Sequence, residues 1–190
     1  MSNMSKNIPK TQASLWVQRF EPLIPPGGLV LDLACGGGRN AMYLASLGHR
    51  VLALDRDISN LPNNKNITGI QEDLEDGSPW PLKGRQFNGI VVCNYLFRPL
   101  FPTLISSLAD DSVLIYETFA SGNEQLGNPR REEFLLRPGE LLEAFGKSLE
   151  VVAYEYGTVE TPKPAVIERI VAARLKTAIR PQLPLIIPKW

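Results

Sequence analysis

The chemistry legible in this chain rests on Asp32, Asp55, Asp73, Asn94 and Glu117, each at or just beyond the end of a predicted strand. The densest signal is LVLDLACGGGRNAMYLA, Leu29 to Ala45. An apolar run, Leu29 to Leu33, holds Asp32 near its end; Gly36, Gly37 and Gly38 follow, and a helix-period segment begins after them. Apolar strand, glycine turn and helix make a nucleotide-binding βα unit. Glycines bend the backbone tightly and let a ligand lie against it without meeting a Cβ. A carboxylate such as Asp32 at the strand's end favours a ligand with an ammonium group; the plain alternative is an acid bonded to nearby backbone amides. Asp55 ends the next strand, where a carboxylate can accept from both ribose hydroxyls, or serve as an ordinary turn aspartate. Arg56 beside it covers an adenine or is solvated.

These residues need elements to hold them. A short helix is predicted over Ala13–Phe20, with Leu15, Trp16 and Phe20 apolar, stopped by Pro22, Pro25, Pro26, Gly27 and Gly28. Strands are predicted at Leu29–Ala34, Arg50–Leu54, Ile67–Gln71, Phe87–Cys93 and Ser112–Glu117. Helices are predicted at Arg39–Leu47, with Gly48 just past its end, at Pro99–Leu108 and at Gly139–Phe145. Ile58–Leu61 is at most one helical turn. Leu149–Tyr156 and Val166–Arg174 read as a closing strand pair. Strands alternating with helices predict an α/β fold, a doubly wound, mostly parallel sheet covered on both faces. Ligands bind such sheets beyond the carboxyl ends of the strands, which is where the candidate residues fall.

A chain of 190 residues is the size of one domain. The reading divides it into a flexible tail over 1–12, one domain over 13–176 and a Pro-rich apolar tail over 177–190. Lys plus Arg is 20 and Asp plus Glu is 20, so the net charge is zero and gives no strong signal for nucleic acid or an anionic membrane. MSNMSKNIPK has no apolar core of a signal peptide, and no apolar run is long enough to span a bilayer. A cytoplasmic protein with Cys35 and Cys93 as free thiols is expected. No Cys/His cluster has metal-ligand spacing, so no metal is assigned. His49, the single histidine, precedes the second strand and therefore lies at the amino edge, away from the chemistry; it reads as an exposed turn residue. The sequence gives no oligomeric state.

Asp32, Leu33, Ala34, Cys35, Gly36, Gly37 and Gly38 resemble motif I of class I S-adenosylmethionine (SAM) dependent methyltransferases, D/E-x-G-x-G-x-G, with Ala34 in place of the first glycine. LDLACGGGRN is similar to the tellurite-resistance-type bacterial branch. GHRVLALDRD, EDLEDGSPWPL, NYLFRPLFP, IYETFASGNE, FLLRPGELL and VVAYEYG resemble one group of small bacterial members, from about Ser14 to about Arg174. The resemblance implies seven strands with the last inserted antiparallel, and SAM as the cofactor. It implies that Asp32 reaches the methionine ammonium, often through water, and that Ala34, Gly36, Gly38 and Asn40 line the cofactor. It puts Asp73 on the adenine amino group and the backbone amide of Leu74 on the ring. Asn94 and Tyr95 then face the transferable methyl: Asn94 orients a substrate, Tyr95 packs on the sulfonium or supplies a hydroxyl. Arg98, Glu117 and Thr118 lie on the same edge. The resembling group reads NYLHRPL where this chain reads NYLFRPL, so Phe97 removes any role of that histidine.

Three functions compete. The first is a SAM-dependent methyltransferase acting on a small-molecule acceptor by in-line displacement. It would work without a histidine base, with a soft or anionic acceptor or with help from Glu117 or Tyr95. The second is an NAD(P)-binding oxidoreductase, because Gly36, Gly38 and Ala41 also fit G-x-G-x-x-A. The third is a SAM-binding module without catalysis. Asp32 before the glycines, Asp73 and the closing strand pair favour SAM over NAD.

Overall fold

Val30, Leu31 and Leu33 are all buried on the first strand, β1 (Leu29–Leu33), so both of its faces are covered and the run reads as continuously apolar. The computed structural model describes residues 12–176; of the tails expected over 1–12 and 177–190, all but Gln12 lies outside the described residues. The other strands are β2 (Arg50–Asp55), β3 (Ile67–Gln71), β4 (Phe87–Cys93), β5 (Leu108–Phe119), β6 (Glu150–Val159) and β7 (Ala165–Arg174). They form one seven-stranded sheet in the order β3-β2-β1-β4-β5-β7-β6. The first five run parallel, and β7 pairs antiparallel with both β5 and β6. The expected α/β sheet with an antiparallel last strand is therefore present.

Side chains alternate across this sheet with period two. Leu31, Leu33, Leu52, Leu54, Ile90, Val92 and Tyr116 share one core with Phe145 of α4 (Glu140–Phe145) and Leu104 of α3 (Phe101–Ser106). Val30, Val51, Ala53, Val91 and Ile115 share the other with Trp16 and Phe20 of α1 (Leu15–Phe20) and Leu44 of α2 (Arg39–Ser46). Burying one such side chain contributes about 1.5–3 kcal/mol. The same alternation puts Asp32 on the α1/α2 side, beside Val30.

Helix α1 is capped by Ser14, whose Oγ accepts from the amides of Trp16 (3.0 Å) and Val17 (3.3 Å). It is pinned to the antiparallel strands. Arg19 pairs with Glu155 at 2.9 Å, and the Trp16 indole donates to the Ile170 carbonyl at 3.3 Å. Arg169 stacks over the Trp16 ring at 4.5 Å.

The largest departure from the sequence reading lies between Arg98 and Phe119. The helix expected over Pro99–Leu108 is a 3-10 turn at Arg98–Leu100 followed by α3, and Leu108 already belongs to β5. Phe87 pairs with Leu108, and the register then shifts so that Gly89 pairs with Val113. The stretch Ala109–Asp111, between the expected helix and the expected strand, is an irregular part of β5. β6 also runs past the expected Tyr156, because pairing with β7 continues to Val159↔Ala165.

Candidate functional site

The sheet order reverses between β1 and β4, so the chain leaves β1 in one direction and β4 in the other. This opens a crevice at their carboxyl ends. The glycine turn lies there. Ala34, Gly36 and Gly38 all adopt left-handed φ (52°, 53° and 73°), a conformation nearly free for glycine and strained for alanine. The turn is held by Cys35 N–H to the Leu54 carbonyl (3.1 Å) and Gly38 N–H to the Cys35 carbonyl (2.9 Å). It lines a cavity of about 620 Å³ whose wall includes Ala34, Gly36, Gly38, Asn40, Cys93 and Asn94. A Cβ added at Gly36 or Gly37 would meet nothing within 4 Å, because both face open space.

Asp32 is not on that wall. It is 1% exposed, and its Oδ2 accepts the Ala41 amide of α2 at 2.9 Å. Burial raises its pKa to about 7 against the pull of that amide and of Arg39. The alternative weighed for Asp32, an acid bonded to nearby backbone, is the arrangement observed. Asp55 connects two candidate elements: its Oδ2 accepts the Gly36 amide (2.8 Å) and its Oδ1 the Asp57 amide (3.1 Å). Each oxygen keeps a lone pair for a ligand. Asp73 accepts the Glu75 amide at 2.9 Å and is exposed. Arg56 is exposed, and Leu74 packs against the core. Asp55 ends β2, Arg56 follows it, and Asp73 and Leu74 follow β3, all on the carboxyl edge but not on the wall of the glycine-turn cavity.

Asn94 follows β4 with left-handed φ of 58°, its amide donating to the Glu117 carbonyl at 3.0 Å. Tyr95 is half-buried, and its backbone carbonyl accepts the Tyr116 hydroxyl at 2.9 Å. Burial, then the nearby carboxylates of Glu75, Asp73 and Asp55, raise the Tyr95 phenol well above its ordinary value. It stays protonated near neutral pH, so it can donate a hydrogen bond but cannot act as a base there. Phe97 packs against the core. Arg98 is committed to structure. It holds both oxygens of Glu140 (2.5 and 3.0 Å) and the carbonyls of Glu133 (2.8 Å) and Leu135 (2.9 Å), tying the β4 exit to the chain before α4.

A second cavity, of about 650 Å³, adjoins the first and shares Arg39 and Asn94 with it. Its wall is formed by Gln12–Trp16, by Glu117, Thr118 and Phe119 at the end of β5, and by the β6–β7 turn with Ile167 and Arg169. Gln12, assigned to the tail by the sequence reading, therefore belongs to this wall. Ser14 is docked by its amide donating to Asn40 Oδ1 at 3.0 Å, which links the N-terminal segment to the glycine-turn helix. Glu117 pairs with Arg169 at 3.7 Å. Trp16, Arg39, Glu75, Lys163 and Arg169 were not among the candidates. Arg39, next to the glycines, and Glu75, two residues past Asp73, carried a positional signal; the others are brought in by strand pairing and by the docking of α1.

His49 corrects one expectation. It does lie at the amino edge, before β2, but it is not exposed: it is 1% exposed, with Nε2 2.7 Å from Glu21 Oε1. The end of α1 folds over this edge and covers it. Cys35 and Cys93 are free and buried. Burial pushes the Cys35 thiol up to about 12 and raises Cys93 well above its ordinary value. Among the described residues, no group of His, Cys, Asp and Glu could hold a metal, and no helix is long and apolar enough to cross a membrane.

The family model of tellurite resistance protein TehB matches residues 10–79. An uncharacterised methyltransferase of Synechocystis sp. is 43% identical over 61 residues, 28% of this chain and 29% of that protein. The chain spans between 29% and 55% of the length of the curated relatives it matches. The crystal structure of TehB from Haemophilus influenzae superposes with a TM-score of 0.64 at 19% identity, covering 84% of this chain and 61% of that one. A putative SAM-dependent methyltransferase from Listeria monocytogenes superposes at 0.62 with 11% identity, covering 84% and 97%. The fold is the one that these solved structures share, and the sequence over residues 10–79 is similar to the TehB family.

Proposed function

We propose that this chain binds SAM at the glycine turn and transfers its methyl group to a small molecule held in the second cavity, with residues 13–176 as the methyltransferase domain. The observation that carries the reading is the junction of the two cavities at Asn94 and Arg39. Ligands seated in each would meet there, which is what a direct group transfer requires.

The residues fit the cofactor. The open backbone at Gly36 and Gly37 accommodates a ligand in close approach, and Asp55 is fixed by the same turn with acceptor capacity left for ribose hydroxyls. Asp73 and the Leu74 amide are proposed for the adenine, with Arg56 beside it. Asp32 is proposed to act through the α2 N-terminus and toward the ammonium, not as a bare wall residue. Ala34, Gly38, Asn40 and Asn94 complete the lining.

A bound SAM supplies a methyl already activated on a sulfonium. The protein's own work is to align and to exclude water. Asn94, in left-handed conformation with its amide donating to the Glu117 carbonyl, lines both cavities at the junction. Tyr95 offers a phenol donor. Glu117 is the acid on the acceptor wall and can take the proton released by a neutral acceptor; an anionic acceptor releases none.

Calorimetry with S-adenosylhomocysteine (SAH) and NAD on the full chain tests the reading. SAH binding with no NAD binding is expected, lost in Gly36→Val, whose branched side chain would occupy the open space. Binding of NAD and not SAH would overturn it. Methyl release with an acceptor panel separates an enzyme from a module that only binds SAM.

A further inference from the structure

The charges on the second cavity's wall do not balance. Among the described residues its cations are Arg39, Lys163 and Arg169, and its single carboxylate is Glu117. Arg169 is already satisfied, paired with Glu155 and with Glu117, and that pairing also neutralises Glu117. Asp32, the acid that acts on Arg39, is buried, and its Oδ2 is taken by the Ala41 amide. Among the described residues, neither Arg39 nor Lys163 has a hydrogen-bonded or ion-paired side-chain partner. The remaining contact of the Lys163 ammonium is with the face of the Phe119 ring, 5.6 Å from its centroid. A ring face attracts a cation without using its N–H donors, so those donors stay available. The rest of the wall is largely apolar, with Ala13, Val159, Ala165 and Ile167 beside Phe119.

We infer that this cavity takes a small organic anion: an apolar body seated against Phe119 and Ile167, and one anionic head held by Lys163. The inference rests on the methyltransferase reading only in calling this ligand the methyl acceptor. Lys163 is exposed, so a neutral ligand filling the cavity would strip water from its ammonium and give no charge in return, and a cationic one would add to it. The anion also sets the direction of the acceptor. Its head points to the β6–β7 turn that carries Lys163, leaving the far end of the body toward Asn94.

The test uses the full chain, with and without saturating SAH, and three probes of one shape: 3-phenylpropanoate, 3-phenylpropanamide and 3-phenylpropylamine. Calorimetry should show the carboxylate binding at least about tenfold tighter than the amide, the size of one charge-assisted contact, and the amine weakest. Lys163→Gln should remove that preference, leaving amide and SAH affinities unchanged, and Lys163→Arg should restore it. Equal binding of acid and amide, preference for the amine, binding of none of the three, or a preference that survives Lys163→Gln would overturn the inference. Loss of SAH binding with the anion preference intact would instead overturn the cofactor reading alone.

Discussion

Asp32 of β1 accepts the backbone amide of Ala41 at 2.9 Å, so a buried carboxylate on the central strand caps the first turn of α2 from inside the protein. Burial holds its pKa at about 7, against an ordinary value of 3.8. The folded chain therefore keeps a proton that the unfolded chain releases between those values. This contribution is fully present below about pH 4 and is lost as pH rises through 7, by on the order of 4 kcal/mol. In urea denaturation of the ligand-free protein at pH 5 and pH 8, Asp32→Asn should flatten this slope and gain stability at pH 8. The same variant should bind SAH more weakly. An unchanged difference between the two pH values would show that the carboxylate is not uncomfortable where it sits.

Asp55 joins β2 to the glycine turn through the 2.8 Å bond from Gly36. Asp55→Ala frees that amide and removes the ribose acceptor together, and should weaken SAH binding by about 1.5–3 kcal/mol. Asp55→Asn keeps a carbonyl oxygen for Gly36 but loses the charge and one acceptor. If calorimetry finds Asn fully equivalent to Asp, the residue serves the turn and not the ligand.

The two thiols lie on the wall of the glycine-turn cavity, and both are raised by burial. They should react slowly with a thiol-specific disulfide reagent at pH 8, and more slowly still with SAH present. The Cys35→Ala, Cys93→Ala double variant should keep SAH affinity within a few fold. Rapid modification, or a folded double variant that binds SAH but has lost turnover, would assign the thiols a chemical role.

His49→Gln bears on stability and not on transfer. The Glu21 contact and the packing at the amino edge are disturbed, so a loss of about 1–3 kcal/mol in denaturation is expected, the cost of a buried polar group losing its partner. SAH affinity and methyl release per folded molecule should be unchanged. A variant of normal stability that had lost turnover would contradict the placement of this residue.

The legible parts of the fold were those carried by local pattern. β1 and β4 were readable because buried strands are continuous apolar runs, and the start of α2 because glycines precede a helical period. Asp55 and Asn94 could be placed at strand tips because a strand's carboxyl end is a sequence position as much as a spatial one. The Pro99–Leu108 segment misled because Leu108 belongs to a strand through pairing with Phe87, twenty-one residues earlier, and no local period records that partner. His49 read as exposed because a turn histidine looks the same whether or not another element covers it.

By itself, then, the sequence determined the strand-turn-helix unit, the acids at the strand tips and the class of fold, all of which depend on residues within one or two turns of each other. Tertiary structure alone decided that Asp32 faces α2 and not the cavity, since a period-two strand assigns its faces only once the helices have docked. It also decided that Trp16, Phe119, Lys163 and Arg169 share one wall. Those residues come from α1, β5, the β6–β7 turn and β7, and only antiparallel insertion of β7 beside β5, with α1 pinned across it, brings their side chains to one cavity.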